Sequence, residues 1–241
     1  MEVGTGASRV EEERRHDVRM DWANLLFIHW RVDAALMRTI VPKPLEIDTF
    51  DGSAWVGLVP FRMERCSFRG VPRLPGLSDF YECNVRTYAR HKGKGGVWFF
   101  SLDAETLLPV LGGRWKWNLN YVFSRFAVKR EEGITDYRLT RRPGPWAAGA
   151  THVRWRVGDP QPPTRAGSLE HFLTERYWLF SRKGGRIVAG EVFHAPWNLR
   201  SAELLHMEDS LIAAAGVRVV GDPVVFASEQ RAVKGFGLQV V

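Results

Sequence analysis

Apolar and polar residues alternate with a period of two along much of this chain, the signature of strands with one face in a core and one in water. Thr151 to Val157 is the cleanest case, with Val153, Trp155 and Val157 opposing His152, Arg154 and Arg156. Trp22 to Val32 and Ser53 to Met63 also read as strands. They are separated by a short helix that Asp33 caps and that buries Leu36, Met37, Ile40 and Val41 before Pro42 and Pro44 stop it. Ser67 to Leu77, rich in Pro and Gly, reads as a loop, and Gly112 to Trp117 as a link into strands near Leu119 to Val128 and Thr135 to Thr140. Ser168 caps a second short helix, Leu169 to Leu173, which is followed by a hairpin with arms Glu175 to Ser181 and Arg186 to His194 around Lys183-Gly184-Gly185. Leu204, Leu205, Leu211 and Ile212 predict a helix over Arg200 to Ala215 with Gly216 just past its end, and strands close the chain from Val224 to Val241. Many strands with few helices, in no regular alternation, predict an α+β fold that is mainly antiparallel β and barrel-like.

The pattern breaks most tellingly from Phe80 to Asp103, two strands joined by a Gly-rich turn. Phe80, Glu82, Asn84, Arg86 and Tyr88 share one face, and Tyr81, Cys83, Val85, Thr87 and Ala89 the other. The return strand from Val97 is nearly all apolar until it delivers Ser101 and Asp103, which suggests burial on both faces. A polar face beside such a strand either meets water or lines a pocket. Ionised groups in strand interiors are costly unless paired or wet, and His29, Glu175 and His194, with Arg31, Arg176, Tyr177 and Trp197, extend the same kind of constellation. An arginine held there binds a carboxylate through two N–H donors, and a glutamate in apolar surroundings has its pKa raised into the acid/base range.

Composition narrows the class. The chain has 241 residues, 45% of them apolar and 25% charged, as expected of one globular domain over residues 20–241 behind a flexible tail, 1–19. The tail lacks the apolar segment of a signal peptide, and no run is long enough to span a membrane. Two cysteines, Cys66 and Cys83, make no disulfide framework, so a cytoplasmic location is expected. The net charge of +7 comes from scattered basic residues, among them a loose group of Arg138, Arg141 and Arg142 that reads as solvated surface, so nucleic acid is an unlikely partner. Exposed strand edges leave a homodimer open. The seven histidines lack metal-ligand spacing, Ser101 lacks a nucleophile elbow, and Gly93 to Gly96 lacks the context of a phosphate loop; neither metal nor cofactor is expected.

The segments Leu26-Phe27-Ile28-His29-Trp30-Arg31-Val32, Val41-Pro42-Lys43-Pro44-Leu45-Glu46-Ile47-Asp48, Glu82-Cys83-Asn84-Val85-Arg86-Thr87-Tyr88, Phe99-Phe100-Ser101-Leu102-Asp103 and His194-Ala195-Pro196-Trp197 resemble the YqjF-like family of uncharacterised bacterial proteins, from about Trp22 to the C-terminus. That family in turn resembles acetoacetate decarboxylase, a cone-shaped antiparallel barrel that forms a Schiff base between a lysine and a β-keto acid. The resemblance places Glu82 near the decarboxylase's active-site glutamate. The paired lysines are absent, and the nearest substitute is Lys116 between Trp115 and Trp117. The resulting expectation is a small organic acid or carbonyl compound bound inside the barrel. Arg86 holds the carboxylate, Glu82 and Lys116 are the catalytic candidates, and Asn84, Tyr121, His194, His29, Glu175 and Ser101 are further binding residues. Any activity would be lyase-like or hydrolase-like. The competing expectation is a non-catalytic protein that uses its basic surface for an acidic partner.

Overall fold

Along the described residues of the computed structural model, 15–70, 78–106 and 118–241, thirteen strands and three short helices follow one another. They are β1 (Val18–Val32), α1 (Ala34–Ile40), β2 (Glu46–Ile47), β3 (Ala54–Phe68), β4 (Phe80–His91), β5 (Lys94–Ala104), β6 (Tyr121–Glu131), β7 (Ile134–Arg141), β8 (Ala150–Pro160), α2 (Leu169–Thr174), β9 (Trp178–Lys183), β10 (Arg186–His194), β11 (Arg200–Asp209), α3 (Leu211–Ala214), β12 (Val224–Gly235) and β13 (Gln239–Val240). Among these residues no helix is long and apolar enough to cross a membrane.

All thirteen strands belong to one sheet that closes on itself twice. A wall of β12, β1, β3, β4 and β5 is common to both rings. One ring of seven strands closes through β9 and β10; the other, of nine, closes through β6, β7, β8 and β11. The forks are visible in the pairing. β5 runs parallel to β9 at Val97 and Trp98 but to β6 at Leu102 to Ala104, and β12 meets β10 at Val233 to Gly235 but β11 at Phe226 and Ala227. Gly96 is what lets β5 and β9 approach, since a Cβ there would sit 2.4 Å from the Trp178 carbonyl oxygen. The remaining pairings are antiparallel, as the alternation predicts.

A wall shared by two rings is buried on both faces. Phe27, Val59, Phe61, Phe80 and Phe99 pack inside the smaller ring, while Leu26, Ile28, Val56, Leu58, Cys83 and Val85 pack on the opposite face toward the larger. One end of the smaller ring is stopped by α2. Ser168 caps it by accepting from His171 N (3.3 Å), Leu173 and Thr174 are buried, and Phe172 lies against Phe50 and Tyr88. Asp33 caps α1 by accepting from Ala35 N (2.7 Å), as read from the sequence.

Four sequence expectations change. Leu36, expected in the buried stripe of α1, is exposed, and Met37 is the buried residue of that helix. The segment Arg200 to Ala215 is β11 followed by the single turn α3, with Gly216 at φ 81° beyond it. β11 pairs with β8 through an irregularity between Leu204 and His206, so that Leu204 and Met207 both pack on the core. That bulge puts two apolar residues three positions apart on one face, a helical spacing on a strand. The N-terminal tail ends earlier than expected: Val18 and Arg19 are already paired in β1, and residues 1–14 lie outside the described residues. Arg141 is not a surface residue. Its side chain is 4% exposed and grips the fully buried Asp103 with Nε to Oδ1 (2.8 Å) and Nη2 to Oδ2 (2.9 Å), and Ser101 and Ser124 donate to the same carboxylate.

Removing one partner of a buried, hydrogen-bonded ion pair leaves an uncompensated charge. Arg141→Ala is therefore expected to cost about 3–5 kcal/mol, a fall in melting temperature of roughly 6–20 °C for a domain of this size. The double variant Asp103→Ala/Arg141→Ala should lose less than the sum of the two single changes. Strict additivity in a thermal double-mutant cycle would show that the pair does not act as a unit.

Candidate functional site

Inside the smaller ring lies a cavity of about 110 Å³. Its strand β4 projects Phe80, Glu82, Asn84 and Arg86 inward, the face expected from the alternation; β1 adds Trp22 and Phe27, β10 adds His194, and Tyr121 and Trp197 complete the polar side. The rest of the lining is largely aliphatic and aromatic. Glu82 and Asn84 are 2% and 5% exposed, so this polar face meets the interior and not bulk water.

Glu82 is the acid of the site. Tyr121 Oη donates to its Oε2 at 3.2 Å, and the Tyr137 hydroxyl donates to its main-chain carbonyl (2.8 Å). Burial raises the Glu82 pKa to about 8, with Asp103 adding to the effect and the Tyr121 hydrogen bond opposing it. The carboxyl is therefore neutral, and a proton donor, at pH 7. Burial and the neighbouring Glu82 raise the Tyr121 pKa as well, so that phenol keeps its proton. Cys66, also on the lining, is pushed up to about 12, first by burial and then by Glu82 and Asp79, which makes it a thiol and not a nucleophile.

Arg86 lies past Asn84 on the same strand face. Its Nη2 donates to the Leu173 carbonyl (3.2 Å), its guanidinium stands over the rings of Phe27 (5.6 Å) and Tyr88 (5.8 Å), and its buried Nε has no hydrogen-bond partner. Among the described residues no carboxylate pairs with it. Arg176, the other cationic group on the lining, is engaged instead by Asp48 (2.7 Å), which also holds Arg90 (2.8 Å). Arg86 is thus the uncompensated charge of the described lining. Beneath it, the Tyr88 hydroxyl donates to the Leu173 carbonyl (2.8 Å), so the 2.7 Å contact with His29 must use a proton on His29 Nε2. His29 is completely buried, and burial with the Arg86 charge lowers its pKa. Gly57 leaves room for the ring, since a Cβ there would lie 2.8 Å from its Cδ2 and Nε2.

His194 faces the cavity between Tyr177 and Trp197, with ring centroids 4.7 and 4.8 Å away. Its Nδ1 donates to the Ala195 carbonyl (2.9 Å), which leaves Nε2 as an acceptor, buried and without a partner. Burial lowers its pKa against the pull of the Ala195 carbonyl and Glu175, so it is a neutral base at pH 7. Glu175 does not line the cavity. It caps the end of α2, accepts from Tyr177 Oη (2.6 Å) and Trp197 N (2.9 Å), and so fixes the wall on which His194 sits.

Of the residues singled out in the sequence, Glu82, Asn84, Arg86, Tyr121 and His194 meet at this cavity, and His29 and Glu175 stand behind its wall. Ser101 does not reach it. β5 slips register opposite Val85 and Arg86, so Val97 and Phe99 face the cavity but Leu102 replaces Ser101 there, and Ser101 turns to Asp103 and Arg141. Lys116 lies outside the described residues, and no lysine is present among the described residues of the lining. Trp22, Cys66 and Thr174 line the cavity without having been singled out; each looks like ordinary strand or helix composition, and only the orphaned Trp22 Nε1 marks one of them. Away from the cavity, β8 and β11 bring donor atoms of His152, His206 and Glu208 within 4.8 Å of one another, a grouping that cross-strand pairing creates and sequence spacing cannot reveal.

Comparison with known proteins places this geometry. A family described as an uncharacterized conserved protein, DUF2071, matches residues 19–232. The uncharacterized protein YqjF of Bacillus subtilis (strain 168) is 34% identical over 215 residues, 89% of this chain and 88% of YqjF. Among solved structures, the enduracididine biosynthesis enzyme MppR complexed with pyruvate superposes with a TM-score of 0.66 at 16% identity, over 95% of this chain and 91% of that one. Acetoacetate decarboxylase from Legionella pneumophila gives 0.65 at 14% identity, over 100% and 98%. At such identities the likeness is one of fold, and it bears out the barrel architecture read from the sequence.

The state of Glu82 makes stability depend on pH. An unfolded glutamate ionises near 4.3, whereas the folded carboxyl holds its proton to about pH 8. The folded state therefore binds a proton that the unfolded chain has released, and the stability present below about pH 4 is lost as pH rises through 8. Glu82→Gln, which cannot ionise, is expected to melt near the parent at pH 4 and above it at pH 8 to 9. Parallel melting curves across that range would place the Glu82 pKa in the ordinary carboxylate region.

Proposed function

The chain belongs to the DUF2071 (YqjF-like) family, and we propose that it binds a small carboxylic acid carrying a carbonyl or hydroxyl group inside the smaller ring. The carrying observation is the unpaired Arg86 guanidinium on a lining whose other titratable groups are neutral or already paired. A partly buried cation without a counter-charge is costly to hold, and a carboxylate is the ligand that offsets it. The neutral Glu82 donates to the ligand oxygen beside Tyr121, and Asn84 Oδ1, buried and unpartnered, accepts from a hydroxyl. The pyruvate held by MppR, on the same fold, supports this class of ligand.

If the site is catalytic, its groups suit proton transfer next to a carbonyl. His194 Nε2 takes a proton from carbon as Glu82 gives one to the carbonyl oxygen, and the resulting enol is the entry to lyase-type bond cleavage. Such chemistry needs no lysine.

A thermal-shift screen of small carboxylates, ketones and lactones tests the binding claim. A ligand at a hundred times its dissociation constant adds about 2.7 kcal/mol, or roughly 5–11 °C here. Arg86→Ala should abolish the shift for acids and leave that for neutral ketones; acids that stabilise both proteins equally would overturn the assignment. Borohydride added with pyruvate is expected to leave the protein mass unchanged, and an adduct lost in Lys116→Ala would move the chemistry to a Schiff base.

A further inference from the structure

The two polar subsites of the cavity are far apart. Glu82 and Arg86 are on one face of β4, four residues from each other, which at the rise of a strand separates their Cα atoms by about 13 Å. Their side chains do not close the gap. The Arg86 guanidinium stands over Phe27 and Tyr88 and is bonded to the Leu173 carbonyl of α2, while Glu82 is held by Tyr121 on β6. Asn84 occupies the pleat between them, itself buried with an orphaned Oδ1.

This spacing excludes a 2-oxo acid as a ligand of both subsites, because its carbonyl carbon is bonded directly to the carboxylate. Beyond Glu82 the cavity continues between Val18, Met20, Met63, Phe68, Phe80 and Leu119, with no charged group among the described residues of that stretch of lining. Its size agrees. The 110 Å³ open to the centres of water-sized groups is well above what a single water occupies, about 10–15 Å³, so a chain longer than that of pyruvate has room.

We infer that the ligand is an amphipathic, medium-chain monocarboxylic acid of about six to eight carbons whose oxygen function is several bonds from the carboxylate. The inference rests on the reading of Arg86 as the carboxylate subsite. The carboxylate docks at Arg86, the chain passes Asn84, and the remote oxygen meets the neutral Glu82 beside Tyr121. Any further methylenes fill the apolar chamber.

Titration calorimetry on the full chain decides this, with butanoate, hexanoate, octanoate and decanoate as one series and hexanoate, 2-oxohexanoate and 5-oxohexanoate as another. Affinity should rise about fourfold per methylene from butanoate to octanoate, the value of burying a CH₂, and level off beyond it. The 5-oxo acid should bind about fivefold more tightly than the 2-oxo acid, one net hydrogen bond, and Glu82→Leu should erase that preference. Both series run on the unaltered protein, so misfolding of a variant cannot blunt them. If all acids bind with one length-independent affinity, or the 2-oxo acid binds at least as well, while Arg86→Gln abolishes binding, the chain-length inference is overturned and the carboxylate subsite stands. If no acid binds, or Arg86→Gln changes nothing, the subsite itself is wrong and the inference falls with it.

Discussion

Strands β1, β3 and β4 have no solvent face along most of their length, because each is part of two closed rings at once. Closing the smaller ring, of seven strands, demands sharp bending, and the wall bends at bulges. Asn24 in β1 and Arg65 in β3 adopt left-handed backbone, φ 50° and 52°, where the register slips. The lining records the consequence. Along β1 it passes from Met20 and Trp22 to Leu25 and Phe27, along β3 from Phe61 and Met63 to Cys66 and Phe68, and along β5 from Val97 and Phe99 to Leu102. Each strand changes parity at its bulge. On β4 the parity holds from Phe80 to Arg86, so it presents an unbroken row of inward side chains, and that row carries the polar groups.

This difference explains what could be read from the sequence. The face of Glu82, Asn84 and Arg86 was legible because period two is kept there, and the capping residues Asp33 and Ser168 were legible because a cap is a local device. Ser101 was misplaced because nothing local announces the slip opposite Val85 and Arg86. The helix read from Leu204, Leu205, Leu211 and Ile212 was in fact two elements, since Leu204 and Leu205 lie in β11 at its bulge and Leu211 and Ile212 in the single turn α3. Arg141 escaped for another reason. Its neighbours in sequence are exposed, and its burial is decided by Asp103, 38 positions earlier. Composition and periodicity carry no information about a partner that distant.

The same two-sided burial sorts the charges. On the larger-ring side of β5 the fully buried Asp103 is satisfied by Arg141, Ser101 and Ser124 together. At the closed end of the smaller ring Asp48 joins Arg90 and Arg176, which ties the run after α1 to β4 and to the exit of α2. Glu175 spends its two oxygens on Tyr177 and the Trp197 main chain. These arrangements are structural. They locate strands and helix ends, and Asp103, Asp48 and Glu175 each have donors on both oxygens.

Arg86 departs from that rule. It is placed where Asp48 and Asp103 do not reach it, its Nε is left without a partner, and its charge lowers the pKa of the His29 ring below. His29 carries no charge to offset the cation: its Nε2 donates to Tyr88, whose own proton goes to Leu173, and its Nδ1 is buried without a partner. That chain of donors fixes the base of the cavity with no negative group in it. Glu82, the one acid on the described lining, is kept neutral by burial instead of being drawn toward the arginine. A partly buried arginine without a counter-charge and an acid kept neutral therefore stand apart on one strand face, in contrast to the paired Asp103 and Asp48.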